Sequence, residues 1–112
     1  MNHNADVIDR LVLAYNRGDA RAFADLFADN AVHGTLHAEA QQRGREEVYR
    51  RYVDVFASFP ENRTEVVHRI AFGPFVIVHE HVRRSLQEAA FEVVAIYTLR
   101  DGEITRLDLV RE

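Results

Sequence analysis

Residues 75–84, Phe75-Val76-Ile77-Val78-His79-Glu80-His81-Val82-Arg83-Arg84, alternate with a strict period of two. Val76, Val78, Glu80 and Val82 fall on one face, and Phe75, Ile77, His79, His81 and Arg83 on the other, which is the pattern of a long strand. Both faces begin apolar and turn ionisable at the same level. If the valine face is turned to the core, Glu80 lies between Val78 and Val82, where an unpaired charge is costly to bury. This stretch is therefore the central strand of a sheet and the first place to look for chemistry.

Outward from it, Gly73-Pro74 reads as a turn, preceded by a strand from Arg63 to Phe72 with Val66, His68, Ile70 and Phe72 on one face. On the other side, Ser85 to Ala90 is a connection, Phe91 to Leu99 a strand, Asp101-Gly102 a tight turn and Glu103 to Val110 a last strand. The first half reads differently. Asn4 is placed to cap a helix with Val7, Ile8, Leu11, Val12 and Tyr15 at helical spacing, ending at Gly18. Asp19 caps a shorter helix with Ala22, Phe23, Leu26 and Phe27 inward. Ala31 to His37 alternates as a strand, with His33, Thr35 and His37 on one face. Ala38 to Arg43 reads as a polar loop. Gly44 leads into a third helix with the stripe Val48, Tyr52, Val55, Phe56 and Phe59, stopped by Pro60. Short links between successive strands favour antiparallel neighbours, so the expectation is an α+β fold. A curved, mainly antiparallel sheet wraps over three helices as an open-mouthed cone, a single domain over residues 1–112.

Composition narrows the chemistry. The net charge is −4 and the arginines are interspersed with acids, so no basic stripe offers itself to nucleic acid. The longest apolar run, Phe75 to Val78, is far short of a membrane span, and MNHNADVIDR has no apolar leader core, which points to a cytoplasmic protein. Cys is absent, removing thiolate nucleophiles and sulfur-ligated metals. All fourteen basic residues are Arg, which removes Schiff-base chemistry through lysine. Acid and base work falls to His, Asp, Glu and Tyr, with no cofactor expected.

The run Tyr15-Asn16-Arg17-Gly18-Asp19, then Phe23, then Leu26-Phe27-Ala28-Asp29-Asn30-Ala31-Val32, resembles the opening of the nuclear transport factor 2-like superfamily. That superfamily includes ketosteroid isomerases, SnoaL-like polyketide cyclases, scytalone dehydratase and limonene epoxide hydrolase. Gly44 before a helix and Leu99-Arg100-Asp101-Gly102-Glu103-Ile104 continue the match, which covers essentially the whole chain. The shared residues are caps, turns and core positions, and they speak to fold more than to chemistry. Where ketosteroid isomerases carry a tyrosine and two aspartates, this chain has Leu11, Thr35 and Ile96. The carboxylate of the cyclases' last strand falls near Leu109, with Asp108 on the opposite face. The resemblance turns Val76, Val78, Glu80 and Val82 inward and brings Tyr15, His33, Thr35 and Tyr52 to the cavity wall. Ile96, Thr98, Leu107 and Leu109 complete the lining it implies.

Glu80 and His33 are the expected proton-transferring pair, and Tyr15, Tyr52, Thr35, Val78, Val82 and Ile96 the expected substrate contacts. Burial raises a carboxyl pKa by up to roughly 3–5, while imidazole titrates near about 6.5, so either group suits general acid or base work. His79-x-His81 has zinc-binding spacing but supplies two ligands, with His68 as a third candidate; the pair is read as outer-face histidines and no metal is expected. Arg83-Arg84 and Arg50-Arg51 are read as solvated or interface charges. The expected ligand is a small hydrophobic molecule with a carbonyl or hydroxyl, and the expected reaction an isomerisation, cyclisation or dehydration. The same cavity would also suit a non-catalytic ligand-binding domain, and a cavity filled by Phe27, Phe56 and Phe59 a purely structural one. The outer sheet face, with Phe75, Ile77 and Phe91, is expected to pair with a second copy as a homodimer.

Overall fold

The computed structural model describes residues 3–111. Its order is α1 (Asn4–Arg17), α2 (Ala20–Ala24), β1 (Phe27–Thr35), β2 (Gln42–Arg43), α3 (Arg45–Ser58), β3 (Arg63–Phe72), β4 (Phe75–Arg83), β5 (Phe91–Arg100) and β6 (Glu103–Arg111). The strands form one sheet in the order β2-β1-β6-β5-β4-β3. Every neighbouring pair is antiparallel except β1 with β6, which run parallel. The α+β architecture with a mixed sheet over three helices is the one expected. No helix among the described residues is long and apolar enough to cross a membrane.

The helices follow from their patterning. Val7, Ile8, Leu11 and Ala14 of α1 are buried, and Gly18 ends the helix at φ 67°, a left-handed conformation that glycine adopts at little cost. Asp19 immediately caps α2, accepting from the Ala22 amide. The start of α1 differs from expectation: the cap position is His3 without a side-chain bond, and Asn4 instead donates to the Gly73 carbonyl across the molecule. α3 buries Val48, Tyr52 and Val55, while Phe59 lies beyond its end.

Two sequence expectations move at β1. α2 stops at Ala24 rather than running through Phe27, because Leu26 gives its carbonyl to the Ile104 amide and Phe27 joins the sheet opposite Ile104. From there to the Val32–Arg106 pair β1 advances five residues while β6 advances two, so Ala28 to Asn30 bulge out of the ladder. Arg45 ties this bulge down through the Phe27 carbonyl and the Asp29 carboxylate. The segment 38–43, expected as loop throughout, ends in β2, which pairs back onto Val32 and His33.

The central strand keeps its expected parity: Val76, Val78, Glu80 and Val82 are buried beneath the helices. β3 does not keep one parity throughout. Val66 pairs with Glu80 but His68 pairs with His79, so Val67 is an extra residue and Val66 lies on the opposite face from His68, Ile70 and Phe72.

Candidate functional site

A cavity of about 290 Å³ opens between α1, α3 and the inner sheet face, lined by Leu11, Tyr15, Phe23, His33, Thr35, Tyr52, Thr64, Glu80, Val82, Val93, Tyr97 and Leu109 among others. At its floor Phe23 stacks close to Tyr52, with ring centroids 4.1 Å apart, and Tyr15 meets Phe56 edge-on. The phenylalanines that would have filled the space do not. Phe27 is sunk in the core, Phe56 packs on the tyrosines, and Phe59 lies under the Arg84 guanidinium.

Glu80 reaches this cavity from β4 and is 8% exposed. Its Oε1 accepts from the Thr64 hydroxyl at 3.3 Å, and no described cation pairs with it. Burial pushes its carboxyl up to about 7, which the Thr64 hydrogen bond only partly offsets. Such a group divides between acid and carboxylate near neutral pH.

His33 enters the same cavity from β1 but does not touch Glu80. Its Nδ1 meets Gln42 Oε1 at 2.6 Å and its Nε2 meets the Tyr52 hydroxyl at 2.8 Å. An amide oxygen only accepts, so Nδ1 carries the proton and Nε2 receives the Tyr52 O–H. Burial holds the imidazole pKa below its ordinary value, and Arg51 pushes it the same way. The expected Glu80–His33 pair is thus replaced by a Gln42–His33–Tyr52 chain, with Glu80 standing separately. Burial also raises the Tyr52 hydroxyl well above the usual phenol range.

The other expected contacts divide. Tyr15, Thr35 and Val82 line the cavity with Tyr52. Val78 does not; it is fully buried in the core. Ile96 and Thr98 lie on the outer face, Ile96 opposite Ile77, while Val93, Ala95 and Tyr97 turn inward. Both faces of β5 are apolar, so its alternation leaves the parity open; for the same reason Phe91, expected on the outer face, instead pairs with Val82 and lines the cavity.

A model of the SnoaL-like domain matches residues 8–107. The chain belongs to the SnoaL-like domain family. Solved structures agree. An uncharacterized cystatin fold protein from Novosphingobium aromaticivorans is 24% identical, with TM-score 0.90 over 96% of this chain and 97% of that one. An NTF2-like protein of unknown function from Cytophaga hutchinsonii is 16% identical, with TM-score 0.80 over 97% and 89%. A hypothetical protein with a ketosteroid isomerase-like fold from Catenulispora acidiphila, in complex with trimethylamine, is 17% identical, with TM-score 0.80 over 96% and 85%. At these identities the likeness is one of fold, and it is the nuclear transport factor 2-like fold that the sequence resemblance implied. No curated protein matches the chain.

In this SnoaL-like domain the structure adds site residues that the sequence pattern did not single out. Tyr97 lines the cavity, and its hydroxyl makes no hydrogen bond to a described residue. The Tyr15 hydroxyl accepts from Asn62 Nδ2 at 2.6 Å and from Arg84 Nη1 at 3.5 Å. Arg51, Arg84 and Arg111 line the mouth, so Arg84 and Arg51 are pocket residues as well as surface charges. The two-residue period already carried the signal for Arg84, two positions beyond Val82. On the outer face, His79 and His81 both meet Glu92 Oε1, at 2.8 and 3.2 Å, while His68 stacks on His79 instead of converging with the pair. Those contacts pull the Glu92 carboxyl below its ordinary range. Asp108 faces away from the cavity lining and pairs with Arg106 at 2.8 Å.

Proposed function

We propose that this SnoaL-like domain is a cofactor-free acid/base enzyme of the isomerase, cyclase or dehydratase type, acting on a small, largely apolar molecule that bears a carbonyl or hydroxyl. The observation that carries this reading is Glu80: a buried carboxyl, poised near neutral pH, facing an open cavity with one hydrogen bond to it. As carboxylate, Glu80 takes a proton from carbon beside a carbonyl. Negative charge then grows on the carbonyl oxygen, where a hydroxyl donor lowers the barrier. Tyr97, whose hydroxyl is unengaged, is the first such donor. Tyr15 is the second, because its oxygen only accepts from Asn62 and Arg84 and its own proton remains to be given. Both phenol pKa values are raised, so both remain donors at neutral pH. Glu80 then returns the proton to a neighbouring carbon, or to a departing hydroxyl in a dehydration. His33 has a supporting role: with both ring nitrogens engaged it orients Tyr52 and shapes the wall.

The test is exchange of carbon-bound hydrogen for deuterium in a panel of small ketones, followed by NMR in D₂O. Glu80→Gln is expected to slow exchange by roughly 10²–10⁴-fold, the usual contribution of a positioned base. Exchange by the native protein no faster than by Glu80→Gln would leave the cavity as a non-catalytic binding site. We also propose that the protein is a homodimer through the outer sheet face, on the support of an exposed cross-strand patch at Ile70, Phe72 and Phe75.

A further inference from the structure

The cavity mouth carries a charge arrangement that Glu80 chemistry does not use. Even positions of β4 point inward, and that parity continues to Arg84; odd positions of β6 do the same, through Leu107 and Leu109 to Arg111. Arg51 joins them from α3. None of these three guanidiniums has a carboxylate partner among the described residues, a condition they share with several surface arginines; what sets them apart is that all three line one cavity.

Two of the three are held in place. The Arg111 guanidinium lies 4.3 Å from the Phe91 ring centre, and Arg84 lies 5.4 Å from the same ring and 4.9 Å from that of Phe59. A guanidinium held over a ring still has N–H groups to give, Arg84 spending one on the Tyr15 hydroxyl at 3.5 Å, and those that remain match the two oxygens of a carboxylate. Positive charge gathered at the rim of a low-dielectric cavity also focuses the field inward and draws in anions. The charge is felt at depth: Arg84 and Arg111 lower the Tyr15 hydroxyl pKa against its burial. None of the arginines pairs with Glu80, whose hydrogen bond among the described residues comes from Thr64.

We propose that the pocket takes a small carboxylic acid with an apolar body, its carboxylate seated between Arg84 and Arg111 and its body lying toward Tyr97 and Glu80. The cavity of about 290 Å³ has room for a single aromatic ring with a short acid arm. The inference rests on the functional reading above in taking the cavity as the substrate site.

Binding of phenylacetate and of neutral phenylacetamide, titrated by NMR and calorimetry, tests it without any need for turnover. The acid is expected to bind at least tenfold more tightly than the amide. Arg84→Met and Arg111→Met keep the stem and remove the charge; each should bring the two ligands to within about threefold. Arg50→Met, on the exposed side of α3, should leave the preference unchanged. Melting curves identify folded variants, and either mouth substitution suffices alone. Equal binding of acid and amide, failure of both to bind at millimolar concentration, or a preference that survives both substitutions overturns the proposal. Displacement of phenylacetate by a lower concentration of inorganic phosphate overturns the carboxylate assignment. An acid preference retained in Glu80→Gln, alongside native protein that exchanges no carbon-bound hydrogen, upholds the anion site while the catalytic reading fails.

Discussion

Glu80 holds its proton more tightly in the folded protein than in the unfolded chain, with a pKa near 7 against an ordinary 4.5. The stability tied to that proton is fully present below about pH 4.5 and is lost as pH rises through 7, amounting to about 3 kcal/mol at full deprotonation. Glu80→Gln, which can still accept from Thr64, is expected to be more stable than the native protein at pH 8 and similar at pH 4.5. Urea denaturation at the two pH values checks this, and an unchanged pH dependence in the variant would refute it. His33 moves the other way: burial lowers its pKa, so NMR should show it titrating below 6.5 with the proton on Nδ1. Tyr52→Phe leaves Nε2 buried without its donor and should cost about 1–3 kcal/mol in the same denaturation assay. Glu80 was legible because alternation sets it on one face with Val76, Val78 and Val82, and the family resemblance turns that face inward. Its supposed partner was not, since Gln42 reaches His33 only through the fold-back of β2, which no local pattern announces.

At the scale of elements, glycines mark where the backbone makes room for the site. At Gly34 an added Cβ would lie 3.2 Å from both Ala40 Cα and the Gln41 amide, because the chain after β1 folds directly back over it. These are backbone atoms with little freedom to yield. Gly34→Ala is therefore expected to destabilise the protein by about 1–3 kcal/mol and to loosen the Gln42–His33 contact, seen as a changed His33 ring signal by NMR. A variant as stable as the native protein, with that signal unmoved, would show that the hairpin gives way freely. Gly18→Ala meets strain of a different kind, a left-handed φ with the new methyl in ordinary contact with Phe56 at 3.9 Å, and about 1 kcal/mol is expected. The Gly18 end of α1, the Asp19 cap of α2, the Asp101-Gly102 turn and the β4 alternation were readable because each depends on near neighbours in the chain, whereas Asn4 was drawn from the cap of α1 to the distant Gly73 carbonyl. The end of α2 and the bulge at Val67 were not, since long-range pairing with β6 and β4 overrides local preference there.

Across the whole molecule, the sheet presents its inner face to the helices and leaves its outer face open. On that outer face Phe72 is 78% exposed opposite Phe75, and Ile70 is 59% exposed opposite Ile77. Such a patch is expected to be covered by a second copy. Light scattering at micromolar concentration should give twice the chain mass, and Phe72→Asp should return the monomer; a native monomer would remove the proposal. By itself the sequence determined the fold class, the inward parity of β4 and the placing of Glu80, Tyr15, Tyr52 and His33 around one cavity. The fold class and the alternation of β4 follow from periodicities of 2 and 3.6 and from capping and turn chemistry, which act over a few residues, while the inward parity of β4 and the grouping of the four side chains are what the resemblance to the nuclear transport factor 2-like superfamily implied. Tertiary structure alone decided the parity of β5, the removal of Val78 and Ile96 from the site, the separation of His33 from Glu80 and the meeting of Arg51, Arg84 and Arg111 at the mouth. Each of these depends on register between strands or on helix-to-sheet docking, where an offset of one residue turns a side chain to the other face.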